Sequence, residues 1–137
     1  MKPTVYVIAT MDTKGEENAY VAQCLKACGV DVSMIDVGTQ KPPTVKPDVD
    51  RQTIAQCHPG GEQAVLGHTD RGKAVNAMSE ALIVWLCKEC ADGKVSGVLG
   101  LGGSGGTSLI SAALRALPVG VPKLLVSTVA SGNTAPY

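Results

Sequence analysis

Val95-Ser-Gly-Val-Leu-Gly-Leu-Gly-Gly-Ser-Gly-Gly-Thr107 holds five of the chain's 16 glycines in the seven residues from Gly100 to Gly106. Its first part, residues 95–101, reads as a buried strand, and residues 102–106 read as a glycine turn. Beyond the turn, Leu109, Ile110, Ala113, Leu114 and Leu117 recur on one helical face that Pro118 ends. Residues 123–129 form the next strand. This is a βαβ unit, whose crossover is expected to be right-handed.

The N-terminus repeats the plan. Residues 4–10 are a short β-branched run, and residues 11–15 a polar turn. A helix is predicted over residues 16–28, with Val21, Leu25 and Cys28 at i, i+4 and i+7, Ala22 beside them and Gly29 as the stop. Residues 30–37 are the second strand. Between the two units, residues 38–69 carry Pro42, Pro43, Pro47, Pro59, Gly60 and Gly61 and predict an irregular segment with one short helix after Asp50. A loop of that length is usually functional or covered by a partner. A helix over residues 70–91 follows, capped by Asp70, stopped by Asp92-Gly93, and striped by Ala74, Met78, Ala81 and Trp85, with Val75, Leu82 and Leu86 alongside. Strands alternating with helices predict an α/β fold, a Rossmann-like open parallel sheet with helices on both faces. The expected strand order is 2-1-3-4, in which the first and third strands adjoin at the switch point where ligands bind.

The chain has 137 residues, about one domain. Twelve Lys and Arg balance twelve Asp and Glu, so the basic footprint of a nucleic-acid binder is missing. With 45% hydrophobic and 18% charged residues the chain is too apolar to be disordered. No run approaches the ~20 apolar residues of a membrane span, and the short apolar segment near the N-terminus is no signal peptide. Five cysteines without a secretory signal read as reduced thiols, and the expected compartment is the cytoplasm.

A glycine turn between a strand and a helix presents bare N–H groups and the positive helix end to an anion. Gly102, Gly103, Ser104, Gly105, Gly106 and Thr107 are therefore candidate phosphate-binding residues; the alternative is a turn that lets helix and sheet pack closely. Gly100, Gly102 and Gly105 satisfy G-x-G-x-x-G, but no Asp or Glu follows Asp92 to hold a ribose. The G-x-x-x-x-G-K-[ST] pattern fits Gly100, Gly105 and Thr107, with Gly106 standing where the lysine belongs. Lys14, in the turn after the first strand, would supply that missing cation. Asp12 would hold Mg²⁺ beside the phosphates. Thr13 and Glu16 are spaced as a capping box for the first helix. Asp36, ending the second strand 24 residues after Asp12, is placed as a ribose-binding acid or as a solvated strand end. Ser131, Gly132 and Asn133 follow the last strand at the same sheet edge and suit a sugar or phosphate. Arg71, beside the Asp70 cap, is a further candidate cation or simply solvated.

Other signals point away from chemistry. Cys24 and Cys28, and likewise Cys87 and Cys90, lie inside predicted helices and read as buried structural thiols. Gly102-Gly-Ser-Gly-Gly106 matches a nucleophile elbow, but neither an acid nor a histidine follows Ser104, which excludes a Ser-acid-His hydrolase in its usual order within this chain.

Thr10-x-Asp12-Thr13-Lys14, Asp36-Val37-Gly38, Asp70-Arg71-Gly72, the glycine loop through Thr107, Leu117-Pro-Val-Gly-Val-Pro-Lys123 and Ser127-Thr-Val-Ala-Ser-Gly-Asn133 together resemble one family over essentially the whole chain. It is the family of the tomato mosaic virus resistance protein. The resemblance implies an ATP-binding domain of Rossmann-like architecture, commonly dimeric. It places the ligand on the Asp12-Thr13-Lys14 turn, the glycine loop and the Ser131-Gly132-Asn133 loop. Family members run longer, so residues 1–137 read as a single nucleotide-binding α/β unit at the N-terminus of a larger protein. Inhibition of viral replication belongs to one branch and is not carried over. ATP with Mg²⁺ is the expected ligand, with a homodimer or the remaining part of the protein as partner, and neither nucleic acid nor membrane. Two other readings stay open: an enzyme domain for a phosphorylated or carboxylated metabolite, and an oligomerisation module.

Overall fold

The computed structural model describes residues 2–137. Its elements are β1 (Thr4–Ala9), α1 (Met11–Ala27), β2 (Val32–Asp36), α2 (Arg51–Ala55), α3 (Gln63–Leu66), α4 (Arg71–Ala91), β3 (Val95–Gly102), α5 (Ser104–Ala116) and β4 (Lys123–Ser127), with a 3-10 turn over Thr128–Ser131. The four strands form one parallel sheet in the order β2-β1-β3-β4. This is the expected Rossmann-like α/β sheet. In register, Ala9 lies against Asp36 on one side and Leu101 on the other, and Leu101 lies against Val126. The turns that leave β1, β2, β3 and β4 therefore gather along a single sheet edge.

Alternation along the strands assigns the two faces. Tyr6, Ile8, Ile35 and Val98 enter the main core with Met78, Leu82, Leu86, Leu109 and Ile110 from α4 and α5. Ala9, Leu101, Met34 and Leu99 turn the other way, to meet Met11 and Val21 of α1. All five residues of the apolar face predicted around α5 are buried, and truncating Leu109 or Ile110 to Ala costs about 2–5 kcal/mol. Trp85 of α4 stacks on Tyr6 with ring centroids 5.4 Å apart. The Tyr6 hydroxyl donates to Glu89 at 2.8 Å, and burial together with that carboxylate pushes its pKa well up. On the α1 side the sheet is covered only in part: Leu124 and Val126 of β4 are 56% and 53% exposed.

Four expectations need correction. The first helix opens at Met11 rather than at residue 16, because the Thr10 carbonyl accepts the N–H groups of Thr13 and Lys14 at 3.1 and 2.8 Å. Lys14 then leaves helical geometry (φ −120°, ψ 20°), so α1 is kinked at the point where a turn was expected to end. Thr13 does not cap the helix. Thr10 holds the cap position without a side-chain bond, and the two hydroxyls meet at 2.9 Å.

The buried stripe of α1 is Met11, Gly15, Asn18 and Ala22, which turns the cysteine side outward. Cys24 and Cys28 are therefore exposed, while Cys57, Cys87 and Cys90 are half-buried, all as free thiols. Finally, the segment after β2 holds two short helices, not one. Asp50 caps the first by accepting the Thr53 N–H at 2.8 Å, and Ile54, Ala55 and Val65 complete the core. Among the described residues no helix is long and apolar enough to cross a membrane.

Candidate functional site

A cavity of about 570 Å³ opens at the sheet edge where the strands end. Thr10, Asp12, Thr13 and Lys14 line it after β1, and Thr39, Gln40 and Lys41 after β2. Arg71 and Val75 reach it from the start of α4, and Gly103, Ser104, Gly105 and Gly106 from the turn after β3. The wall thus joins both turns of the switch point, with three cations against one carboxylate.

The glycines of the β3 turn divide into two kinds. A Cβ on Gly100 would meet Ile110 Cγ2 at 2.7 Å, and one on Gly102 would meet the Thr107 nitrogen at 2.5 Å. Close packing accounts for these two. A Cβ on Gly103 would meet nothing within 4 Å, one on Gly105 only Arg71 Nη2 at 3.9 Å, and one on Gly106 nothing nearer than 3.8 Å. Packing does not account for these three, and all three line the cavity. Gly103 is also the cap residue of α5 and offers no side-chain bond. The first helical bond runs from the Thr107 N–H to the Gly103 carbonyl at 2.9 Å. The N–H groups of Ser104, Gly105 and Gly106 accordingly have no intrahelical acceptor, which is the anion-binding state of a helix start.

The β1 turn is built by tethering. Met11 N–H donates to Asp36 Oδ1 at 3.0 Å, and the Met11 carbonyl accepts the backbone N–H and the hydroxyl of Thr44 at 3.0 and 3.3 Å. Asp12 Oδ2 accepts the Lys41 N–H at 3.1 Å, while its Oδ1 stands beside Gly38. Lys14 lines the cavity with its ammonium 3.5 Å from Glu17, a partly exposed pair that is worth little.

Asp36 is not a solvated strand end. It is 1% exposed, and its carboxylate accepts from Met11 N–H, Gly38 N–H at 2.8 Å and Arg51 Nε at 2.9 Å. With its oxygens so engaged beneath the cavity, Asp36 fixes the start of α1 and the loop after β2 rather than facing a ribose. Gly102 and Thr107 also sit below the cavity wall; the buried Thr107 hydroxyl pairs with that of Ser127 and ties α5 to β4. Ser131, Gly132 and Asn133 are exposed and make local bonds, Ser131 to the Thr128 carbonyl and Asn133 to the Ala135 N–H. The structure does not bring them to the cavity.

Thr10, Thr39, Gln40, Lys41 and Val75 line the cavity without having been picked out as site residues in the sequence. The signal for Thr39 to Lys41 was topological: in a parallel sheet the loop after the second strand shares the edge of the loops after the first and third. Among the described residues no group of three or more His, Cys, Asp or Glu could hold a metal ion. A cation here needs oxygens from a ligand besides those of Asp12.

The model of the N-terminal domain of the uncharacterised protein family UPF0261 matches residues 3–137. The chain belongs to the UPF0261 family. A UPF0261 protein of Rhizobium meliloti is 50% identical over 97% of the chain, and one of Clostridium tetani is 39% identical over 100% of the chain. The tomato (Solanum lycopersicum) ToMV resistance protein Tm-1 is 38% identical over 98% of it. The UPF0261 chain spans about a third of these two bacterial relatives, 32% and 34%, and 20% of the tomato protein.

Proposed function

We propose that the chain binds ATP by its phosphates. They lie on the bare N–H groups of Ser104, Gly105 and Gly106, and Lys14, Lys41 and Arg71 offset their charge. Mg²⁺ would be shared between Asp12 and phosphate oxygens, the arrangement this ion favours when carboxylates are few. The observation that carries the reading is the trio Gly103, Gly105 and Gly106. Each has room for a side chain, none has one, and all line a cavity at an uncapped helix start. Gly105 and Gly106, inside the first turn of α5, each cost up to about 1 kcal/mol relative to Ala, a cost that packing does not explain here.

Calorimetric titration with ATP and Mg²⁺ tests this, with Gly103→Val as the discriminating variant. A side chain there meets open space, so the variant should keep its unfolding transition and lose binding. Loss of folding, or unchanged binding, would overturn the assignment. Heat with a sugar phosphate or a carboxylate, and none with ATP, would favour an enzyme domain for such a metabolite. Silence throughout with a concentration-dependent dimer would favour an oligomerisation module. A cytoplasmic, homodimeric setting and the activity of the longer protein belong to this proposal as well.

A further inference from the structure

We infer that the site reads the oligophosphate and is indifferent to the nucleobase, so that its ligand class is a linear di- or triphosphate, whatever the phosphates carry. The inference rests on the phosphate reading above and goes beyond it by naming what is recognised.

Cations reach the cavity from three separate elements. Lys14 comes from the β1 turn, Lys41 from the loop after β2 and Arg71 from the start of α4, facing the bare N–H groups of the β3 turn. Arg71 Nη2 lies 3.9 Å from where a Gly105 side chain would begin, so this cation borders the amide cradle directly. Charge from several sides fits a chain of linked anions better than a single one, since each phosphate meets its own counter-charge. The whole chain is electrically balanced, so an excess of three cations over one carboxylate is local to this cavity.

Bases are held by stacking and by hydrogen bonds to their edges. None of the chain's four Tyr and Trp rings lines the cavity. Tyr6 and Trp85 stack on each other in the core. Tyr20 stands on the outer side of α1 at a separate groove with Met34 and Val45. The large apolar contribution to the cavity wall is Val75 alone; the remainder is hydroxyl, amide, charge and glycine backbone. Such a wall meets phosphates with charge and offers a base no ring to stack on, so one base is held about as well as another.

The test titrates the chain with inorganic triphosphate, ATP, GTP, CTP and adenosine at one fixed salt and Mg²⁺ concentration. Triphosphate and the three nucleotides should bind within about threefold of one another, and adenosine should give no heat. Arg71→Ala should weaken all four phosphate compounds by the same factor. Triphosphate binding accompanied either by ATP binding tenfold or more tighter than GTP and CTP or by adenosine binding would overturn base indifference while leaving the phosphate site standing, and ATP binding without triphosphate binding would overturn both. Silence of all five compounds would overturn both.

Discussion

Apart from the one-turn α3, whose start behind Glu62 also lacks a side-chain cap bond, the helices of this fold open in two ways. α2 and α4 begin behind an aspartate whose side chain accepts a first-turn N–H, Thr53 to Asp50 and Lys73 to Asp70, each at 2.8 Å. α1 and α5 follow the two central strands and begin behind Thr10 and Gly103, neither of which forms a side-chain cap bond. The capped starts satisfy themselves. The uncapped ones converge on the cavity, where α5 leaves three N–H groups free and α1 is held by Asp36 from the neighbouring strand. α4 also reaches the cavity, but through the Arg71 side chain rather than through its N–H groups. Of these four starts, that of α5 is the one left open, at the cavity where a ligand would complete it.

The largest test strikes the tether of α1. Asp36 and Arg51 form a buried pair in which Arg51 Nη2 finds no hydrogen-bond partner among the described residues, while the Asp36 carboxylate joins Arg51 to the Met11 and Gly38 N–H groups. Arg51→Met leaves that carboxylate buried without its cation and should cost about 3–5 kcal/mol in urea denaturation. Combining it with Asp36→Asn removes the stranded charge and should restore much of the loss. A single-variant cost under about 1 kcal/mol would show that Asp36 does not depend on Arg51, and the tethered description of the β1 turn would fall.

Next in size is the charge that the tethered turn contributes. Lys14→Ala should weaken ATP binding by one charge-assisted contact, about 1.5–3 kcal/mol, which calorimetry reads as roughly a ten- to hundredfold rise in Kd. Stability should hardly change, because the pair with Glu17 at 3.5 Å is half in solvent. An unchanged dissociation constant would leave the β3 turn and its other cations as the whole phosphate site.

A capped start should respond to acid. Thr53 donates its backbone N–H and hydroxyl to Asp50, which holds that carboxyl below its ordinary value of 3.8. A lowered folded pKa contributes stability above the ordinary value and loses it as the pH falls below. Asp50→Ala should cost about 1 kcal/mol near neutral pH, and the gap to the parent chain should narrow once the pH drops under 3.8. A gap that stays constant into acid would mean that the carboxylate form is not what caps α2.

The two kinds of start were unequally legible in the sequence. Asp50 and Asp70 announce themselves, because an acid before a helical pattern acts locally. The strand order and the stripes of α4 and α5 were legible too, since long apolar periods leave little choice of face. The stripe of α1 was not: Gly15 and Asn18 on its buried side carry no hydrophobic signal, so periodicity favoured the Leu25 and Cys28 side. Asn18 instead ties α1 to the sheet, donating to the Val7 carbonyl at 3.3 Å. The role of Asp36 was hidden for a different reason. Its partner Arg51 lies 15 residues away across an irregular segment, and only the tertiary fold brings them together. Within the β3 turn, string matching treats all five glycines alike, whereas the packing around each backbone separates Gly100 and Gly102 from Gly103, Gly105 and Gly106.

The smallest expected effect is the sharpest comparison, because it converts one kind of start into the other. Gly103 already has the extended backbone of a cap residue (φ −80°, ψ −156°), and a side chain there meets open space. Gly103→Asp should therefore cap α5 as Asp70 caps α4. Replacing Gly by a capping residue gains a few tenths of a kcal/mol, and restricting the unfolded chain adds about 0.4–1 kcal/mol. The new carboxylate would at the same time occupy an N–H group that the phosphate needs and repel the phosphate itself. Urea denaturation should show a more stable protein, while calorimetry shows weaker binding of ATP and of inorganic triphosphate. If the start of α5 were open merely through lack of selection for a cap, the variant would gain the stability and keep its ligand. If the glycine served packing, it would lose stability. Only a site held open for an anion predicts that stability and binding move in opposite directions.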